Sequence, residues 1–444
     1  MLKFSNSSRV MEAETISKNG RSSKSQTKGV FMKTYSKFFA VAILFVLQIV
    51  SNTAPVEAQT QGTFGSGLTW TVSPDGTLRI SGNGSMPVSL SAGANLQPWE
   101  SVKKRITAVV IEDGVTTLGL GAFEGCSMLS SITLGRGITV LPDVIVEGTS
   151  ITSIIIPEQI TKIENNAFRG ANKLETVYFN AVNCADVLSI YVGAPFALTK
   201  CPALKTVVIG DNVQRIPEAM FEEINSLTSI TIGRNVTAIG KDAFRGCPNL
   251  TSIVIPDKVQ TVDFRAFGGC SGVTSITLGS DLSEIGIAAF AGTKITELTI
   301  PENVSKLRNG SFENSARLRK VYFNATNCAN VDVDSPFKGC QILESIVFGD
   351  NVRQIPQYMA KDLKGLETIT IGSRINTIGE YAFSGCIALE EIINRAVRPQ
   401  VLVGAGYGNF DNTDKSFCIL RVPSGSLTAY RSANIWKDFQ IEAF

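Results

Sequence analysis

The chain has 444 residues with 41 basic and 39 acidic side chains, a formal net charge of +2, and no histidine. This balance leaves no basic surplus that would indicate a nucleic acid or an anionic membrane as partner. The absence of histidine excludes Ser-His-Asp and Cys-His catalysis and removes the commonest transition-metal ligand. We therefore expect no catalytic residue, no metal ion and no cofactor.

The first 58 residues have the pattern of a leader. Residues 1–37 are polar and rich in Ser and Lys, a composition typical of disordered segments. The apolar run 38–50 is shorter than the roughly 20 residues that a comfortable membrane span needs. Small residues follow it up to Ala58. We expect a secretory signal cleaved after Ala58, with Met32 as an alternative start and an uncleaved anchor as the competing interpretation. The mature chain would then be secreted or held at the cell surface, without a membrane span.

Residues 59–105 are predicted to form a linker and an N-terminal β cap. Two alternating runs flank Pro74-Asp75-Gly76, which is a β-hairpin signal. A stacked repeat array needs such a cap because its first coil would otherwise expose its core. Trp70 and Trp99 are interpreted as cap-packing residues, and stacking on a ligand is the alternative.

A repeat of 22 or 23 residues occupies 106–395. In the unit that begins at Leu227, the residues predicted to point into a shared core are Leu227, Ile230, Ile232, Val236, Ile239, Phe244 and Cys247. Equivalent β-runs start at 106, 129, 151, 174, 204, 227, 250, 273, 295, 318, 343, 366 and 389. A phenylalanine recurs at an equivalent position in most repeats: Phe123, Phe168, Phe196, Phe221, Phe244, Phe267, Phe290, Phe312, Phe337 and Phe383. The two longer intervals between β-runs, 174 to 204 and 318 to 343, contain similar sequences, VYFNAVNCA at 177–185 and VYFNATNCA at 321–329.

The repeat pattern LxxIxIPxxVxxIGxxAFxGCxx resembles the BspA-like family of leucine-rich repeats. The segments LTWTVSPDGTLRISGNGSMP and ILRVPSGSLTAYRSANIWKDF are similar to the beginning and end of such arrays. The resemblance implies an α/β repeat solenoid that is right-handed and secreted or displayed at the cell surface, and some family members act as adhesins. We expect about 13 coils with one continuous parallel sheet and short helical or 3-10 turns opposite it. Residues 396–444 would form a C-terminal cap sealed by Tyr430, Trp436 and Phe439.

The predicted binding surface is the outer face of the strands. There the second, third and fifth residues of each β-run should face solvent, and most fifth positions are Thr or Val, which are good strand formers. Tyr178 and Tyr322 stand out because tyrosine is favoured at binding hot spots. We therefore expect the surface around these tyrosines to contact a partner, with contributions from Glu175, Arg319 and Lys320.

Nine cysteines are present. Most share one repeat position and are interpreted as buried thiols, although stacking would bring Cys247 and Cys270 within disulfide reach. The preferred function is an adhesin-like binding protein, expected to be a monomer, whose partner is a host or bacterial surface protein or glycan. The alternatives are an envelope or spacer protein without a dedicated ligand and, less favoured, a glycan-active enzyme using two carboxylates.

Overall fold

The computed structural model describes residues 60–88, 97–186, 198, 200–328, 332–406 and 408–444. The predicted leader, with its signal sequence and cleavage position, lies outside these residues, and so does Phe196. Within them, none of the helices is both long and apolar enough to cross a membrane.

The described chain begins with an antiparallel β-meander. It contains β1 (Thr60–Phe64), β2 (Leu68–Val72) and β3 (Thr77–Gly82). A short strand outside the meander, β4 (Gly84–Ser85), and a 3-10 helix at Glu100–Arg105 follow. The turn between β2 and β3 is held by Asp75, whose carboxylate accepts hydrogen bonds from the Ser73 hydroxyl and the Thr77 N–H. Trp99 is fully buried and stacks on Phe123 with ring centroids 5.9 Å apart.

Most repeat coils contribute two strands. The longer strand belongs to a sheet with one face toward solvent, which we call the exposed sheet, and the shorter strand belongs to a second sheet. In chain order these strands are β5 (Ala108–Ile111), β6 (Val115–Thr117), β7 (Ser131–Thr133), β8 (Val140–Leu141), β9 (Ser153–Ile156), β10 (Lys162–Ile163), β11 (Thr176–Phe179), β12 (Thr206–Ile209), β13 (Arg215–Ile216), β14 (Ser229–Thr231), β15 (Ala238–Ile239), β16 (Ser252–Val254), β17 (Thr261–Val262), β18 (Ser275–Thr277), β19 (Glu284–Ile285), β20 (Glu297–Ile300), β21 (Lys306–Leu307), β22 (Lys320–Phe323), β23 (Ser345–Phe348), β24 (Gln354–Ile355), β25 (Thr368–Ile371), β26 (Thr377–Ile378), β27 (Glu391–Asn394) and β28 (Val401–Leu402).

The predicted solenoid is confirmed, and all thirteen predicted β-runs contain a strand of the exposed sheet. Each strand begins two residues after the predicted start of its run. Within the representative unit, Leu227, Val236 and Phe244 are fully buried, whereas Ile230 is only partly buried. The period of 22 or 23 residues therefore reports the length of one coil.

The exposed sheet is less continuous than expected, because its hydrogen-bonded ladder has four stretches. They are β1-β2-β3-β5-β7, β9-β11-β12-β14, β16-β18, and a final stretch that begins at β20. Every break adjoins at least one strand of three residues, which offers few ladder positions. Coil stacking continues across the breaks, since Ser150 N–H donates to Leu129 O at 2.9 Å and Lys294 N–H donates to Val273 O at 2.7 Å.

The side opposite the exposed sheet is built of successive turns, so the expectation of helical or 3-10 segments there is wrong. The described residues between 106 and 395 contain no helix. Backbone N–H groups that a helix would use internally donate to the next coil instead, as Phe244 N–H does to Ala266 O and Gly246 N–H to Gly268 O, both at 2.8 Å. Gly246 closes its turn with a φ of 71°, a conformation that glycine adopts without strain.

The core is one apolar column that runs the length of the array. At its centre six phenyl rings stack face to face, with centroids 5.1 to 5.9 Å apart, from Phe221 to Phe337. In the next coil Ala360 takes the place of the phenylalanine. Phe348, on the strand of that coil, fills the space and contacts Phe383 edge-on at 6.2 Å.

The array ends with a cap that closes the core. β29 (Ile419–Val422) and β30 (Gln440–Ala443) extend the exposed sheet, so that its last stretch runs β20-β22-β23-β25-β27-β29-β30. Helix α1 (Leu427–Ser432) and three 3-10 helices, at Val403–Gly406, Ser424–Ser426 and Trp436–Asp438, complete the cap. Tyr430, Trp436 and Phe439 are buried; Trp436 and Phe439 pack edge-on against Phe410, and Tyr430 packs against Trp436.

Candidate binding surface on the exposed sheet

The fifth residue of each β-run faces away from the core. None of these thirteen side chains is buried, whereas the residues before and after them on the strand contact the core. The thirteen residues are Val110, Thr133, Ile155, Tyr178, Val208, Thr231, Val254, Thr277, Thr299, Tyr322, Val347, Thr370 and Ile393. Side chains at this position on adjacent strands are direct neighbours, which lets them act together as a surface.

Ile155, Tyr178 and Val208 form what we call the first apolar row. They occupy paired positions on β9, β11 and β12, with Tyr178 in the middle. Ile155 is 54% exposed and Tyr178 is 42% exposed. Three large apolar side chains on adjacent strands face solvent here, which marks this row as a candidate contact surface.

A charged pair lies on the same two strands as Tyr178 and Val208. The Lys205 ammonium is 3.6 Å from a Glu175 carboxylate oxygen, and both side chains are more than half exposed. An exposed pair of this kind stabilises the fold by about 0–1 kcal/mol at most. Both groups therefore remain available for interaction with a partner at little cost to the fold.

The second apolar row consists of Tyr322 and Val347, paired on β22 and β23. Both are partly buried. The Lys320 ammonium lies 4.8 Å from the centroid of the Tyr322 ring, and a hydrogen bond to Tyr322 raises the pKa of Lys320. Arg319, one residue earlier, forms an exposed ion pair with Glu344 on the neighbouring coil. This row therefore combines aromatic, aliphatic and cationic groups.

The five predicted surface residues lie in two groups on the exposed sheet. Glu175 and Tyr178 belong to the strand region of β11, while Arg319, Lys320 and Tyr322 belong to that of β22. Six strand steps of about 4.8 Å separate the two groups, or roughly 29 Å along the sheet. The fifth positions between them are Thr and Val. Sequence reasoning missed Ile155 and Lys205, although their place next to Tyr178 and Glu175 in the repeat register was a usable signal.

In the coils of Tyr178 and Tyr322 the described residues contain no second-sheet strand. The ladder of the second sheet has four stretches, β4-β6, β8-β10, β13-β15-β17-β19-β21 and β24-β26-β28, and two of its three breaks fall at these coils. After the strand of Tyr178 the chain is anchored by Asp186, which accepts hydrogen bonds from Arg215 at 2.5 Å and from the Glu218 N–H at 2.8 Å. Residues 187–197 and 329–331 lie outside the described part of the chain.

The cysteine thiols at the shared repeat position are buried and have low reactivity. Cys247 and Cys270 are buried thiols that donate to the carbonyl oxygens of Phe221 and Phe244 in the preceding coils. A hydrogen bond with Cys270 and burial raise the pKa of Cys247, and burial raises that of Cys340 to about 12. Since the thiolate is the nucleophile and the metal ligand, such thiols favour a packing role. Among the described residues no disulfide is formed and no group of three His, Cys, Asp or Glu side chains is arranged to hold a metal ion.

Two concavities lie at the ends of β12, β14 and β16. One, of about 610 Å³, is lined by Arg234, Asn235, Pro256, Asp257 and Lys258, and its neighbour, of about 350 Å³, includes Asp211. Each lining contains a single carboxylate, whereas glycoside hydrolysis uses two. Arg234 also pairs with Asp211 at 3.2 Å. These concavities therefore do not favour the glycan-active alternative.

The repeat region matches a known family model, and the chain is similar to solved structures of leucine-rich repeat proteins. A family model described as a BspA type leucine rich repeat region matches residues 101–188, 194–319 and 333–396 in six copies. A leucine-rich repeat protein from Eubacterium ventriosum is 23% identical, with 75% of this chain and 90% of that chain covered and a TM-score of 0.34. One from Bacteroides ovatus is 16% identical, covering 88% and 100%, with a TM-score of 0.44. A leucine rich cell surface protein from Faecalibacterium prausnitzii is 23% identical, covering 76% and 95%, with a TM-score of 0.29. A search of curated proteins found no match.

Proposed function

The chain belongs to the BspA-type leucine-rich repeat family, and we propose that it is a secreted or cell-surface binding protein that recognises another protein or a glycan through its exposed sheet. The first apolar row is the observation that carries this proposal. Aliphatic and aromatic side chains on three adjacent strands face solvent there, next to a weakly coupled charged pair. A surface of this composition gains free energy when a partner removes it from water.

The tyrosines are assigned the main energetic role. Tyr178 presents a ring with a polar tip between two aliphatic neighbours, and Tyr322 does so beside Lys320 and Val347. Residues of this type dominate binding energy at interfaces because they bury large areas with few rotatable bonds. Glu175, Lys205, Arg319 and Lys320 would set orientation and specificity rather than most of the affinity.

The test is a pull-down with the immobilised full-length chain against extracellular matrix proteins and mucosal glycans. We expect the wild-type chain to retain a partner and the Tyr178→Ala/Tyr322→Ala variant to bind it at least tenfold more weakly. Ile287→Ala is the matched control, because Ile287 is 43% exposed but belongs to a turn segment away from the exposed strands. Wild-type affinity in a double variant that melts at the wild-type temperature would contradict the proposal, as would a failure of the wild-type chain to retain any partner.

A further inference from the structure

The C-terminal cap closes the core but leaves the edge of the exposed sheet open. Tyr430 donates its hydroxyl to Ala396 O at 3.0 Å, and Trp436 donates Nε1–H to Gln400 O at 3.4 Å, so the buried end of the array is packed and hydrogen-bonded. By contrast, β30 pairs with β29 on one side, and no described strand pairs with its other side.

The free side of β30 presents hydrogen-bonding groups. Gln440 N–H donates to Cys418 O and Phe444 N–H donates to Val422 O, at 3.2 and 3.0 Å. Because alternate residues of a strand direct their backbone groups to opposite sides, the N–H groups of Ile441 and Ala443 point to the free side. An exposed row of this kind is a template for pairing with another strand.

The usual protections of an edge strand are missing from β30. Its sequence, QIEA, contains neither Pro nor Lys, and its single charge, on Glu442, is paired at 2.7 Å with Arg421, which also pairs with Glu391. Two exposed aromatic side chains flank the last two strands, Phe417 at 77% and Phe444 at 56% exposure. Phe444 continues the alternation of β30, in which Gln440 and Glu442 are exposed, and so faces the solvent side of the sheet, whereas Phe417 lies in the turn before β29.

From these observations we infer that β30 pairs antiparallel with β30 of a second copy of this chain, forming a two-fold dimer whose two exposed sheets are continuous. A two-fold axis at Ile441 pairs the free N–H groups, because Ile441 then bonds to its own equivalent and the Ala443 N–H faces the carbonyl of Phe439 in the second copy, whose own N–H donates to Trp436 O. Gln440 is placed opposite Glu442, a polar pair without like-charge contact. An axis at Glu442 would instead place two carboxylates opposite each other.

The same register also places the exposed side chain of Phe444. Phe444 N–H bonds to Val422 O, so the last residue of the chain continues the extended path of β30. In the dimer, Phe444 of each copy extends past Phe439 of the other copy, so one exposed phenyl ring lies at each end of the seam between the two strands. The dimer departs from the monomer expected from the sequence.

The experiment is sedimentation equilibrium of the full-length chain over roughly two decades of concentration, with two variants at one position. Ala443→Pro removes an N–H that points to the free side while leaving the N–H groups that bond to β29, so we expect a folded monomer. Ala443→Val keeps that N–H and favours a strand, so we expect the dimer to persist. Melting temperature and circular dichroism establish that both variants are folded.

Phe444→Ala is a second test, for which we expect a dissociation constant at least threefold higher than that of the wild-type chain. A wild-type monomer at all concentrations would overturn the inference, and so would a dimer that Ala443→Pro does not affect. Association into open-ended polymers would also overturn it, because that result indicates pairing of β30 with a different edge. None of these outcomes bears on the apolar rows, which are tested separately by partner binding.

Discussion

Phe244 illustrates how much a single residue contributes to this array. Its ring is fully buried between Phe221 and Phe267, at centroid distances of 5.1 and 5.2 Å. We expect Phe244→Ala to lower the free energy of unfolding by about 3–5 kcal/mol, because both neighbouring rings lose a stacking partner around a cavity. Urea unfolding followed by circular dichroism measures the change. Thr231→Ala, an exposed strand position of the same coil, should change stability by less than about 0.5 kcal/mol. Equal effects would mean that the inward register is wrong.

Glu222 is a buried carboxylate whose pKa is raised although it is paired with an arginine. Its side chain is 4% exposed and ion-paired with Arg245. Burial raises the pKa of Glu222, and the hydrogen bond and charge of Arg245 oppose only part of that shift. A carboxyl whose folded-state pKa is raised favours folding at low pH, and this contribution is lost as the pH rises through the folded-state pKa.

Glu222→Gln should therefore melt near the wild-type temperature at about pH 4 and at a higher temperature at about pH 7. Thermal scans at the two pH values provide the measurement. Glu223→Gln is the matched control, since Glu223 pairs with the same guanidinium at 2.8 Å but is 54% exposed. A lower melting temperature for Glu222→Gln at the higher pH would show that the ion pair outweighs the burial of its charge.

At the scale of elements, close contacts between successive coils place a strict demand on certain glycines. A Cβ on Gly233 would lie inside van der Waals contact of the Gly210 carbonyl oxygen in the preceding coil, where only backbone could move. We expect Gly233→Ala to destabilise the chain by more than about 1 kcal/mol. Gly425→Ala is the control, because a Cβ at Gly425 meets no atom within 4 Å. Comparable melting temperatures for the two variants would contradict this account of coil spacing.

The elements were predictable wherever a residue pattern repeats. The runs beginning at Leu227, Leu250 and Val273 identified three strands because apolar and polar residues alternate in each. The second sheet was not predicted, since two-residue strands such as β15 show no alternation. The turns opposite the exposed sheet could not be distinguished from helical segments, because their backbone hydrogen bonds join residues about 22 positions apart, as between Phe244 and Ala266. Local sequence carries no signal for such a partner.

Two residues of the candidate surface, Tyr178 and Tyr322, were predictable because tyrosine is rare at an outward strand position of this repeat. The rows around them were not identified, because Ile155 and Val208 look like ordinary strand formers until the register places them beside Tyr178. The separation of the two groups follows from coil counting alone.

At the scale of the whole molecule, each coil contacts only its neighbours, so damage at one end should stay local. Trp436 is buried at the C-terminal end against Phe410. We expect Trp436→Ala to speed amide hydrogen exchange in β27, β29 and β30 while exchange in β5, β7 and β9 is unchanged. Hydrogen exchange with mass spectrometry resolves the two regions. Uniform acceleration along the array would indicate a single cooperative unit instead.

The backbone bonds between successive coils also bear on how far apart the two tyrosines lie. Every regular coil offers the next one the same set of donors and acceptors, as the matching bonds at Phe244 and Phe267 show. A coil copied into the array or deleted from it would leave both new neighbours fully bonded. The distance between Tyr178 and Tyr322 along the sheet therefore changes in steps of about 4.8 Å, the spacing of neighbouring strands. Gain or loss of whole coils can match this distance to a partner without altering either tyrosine.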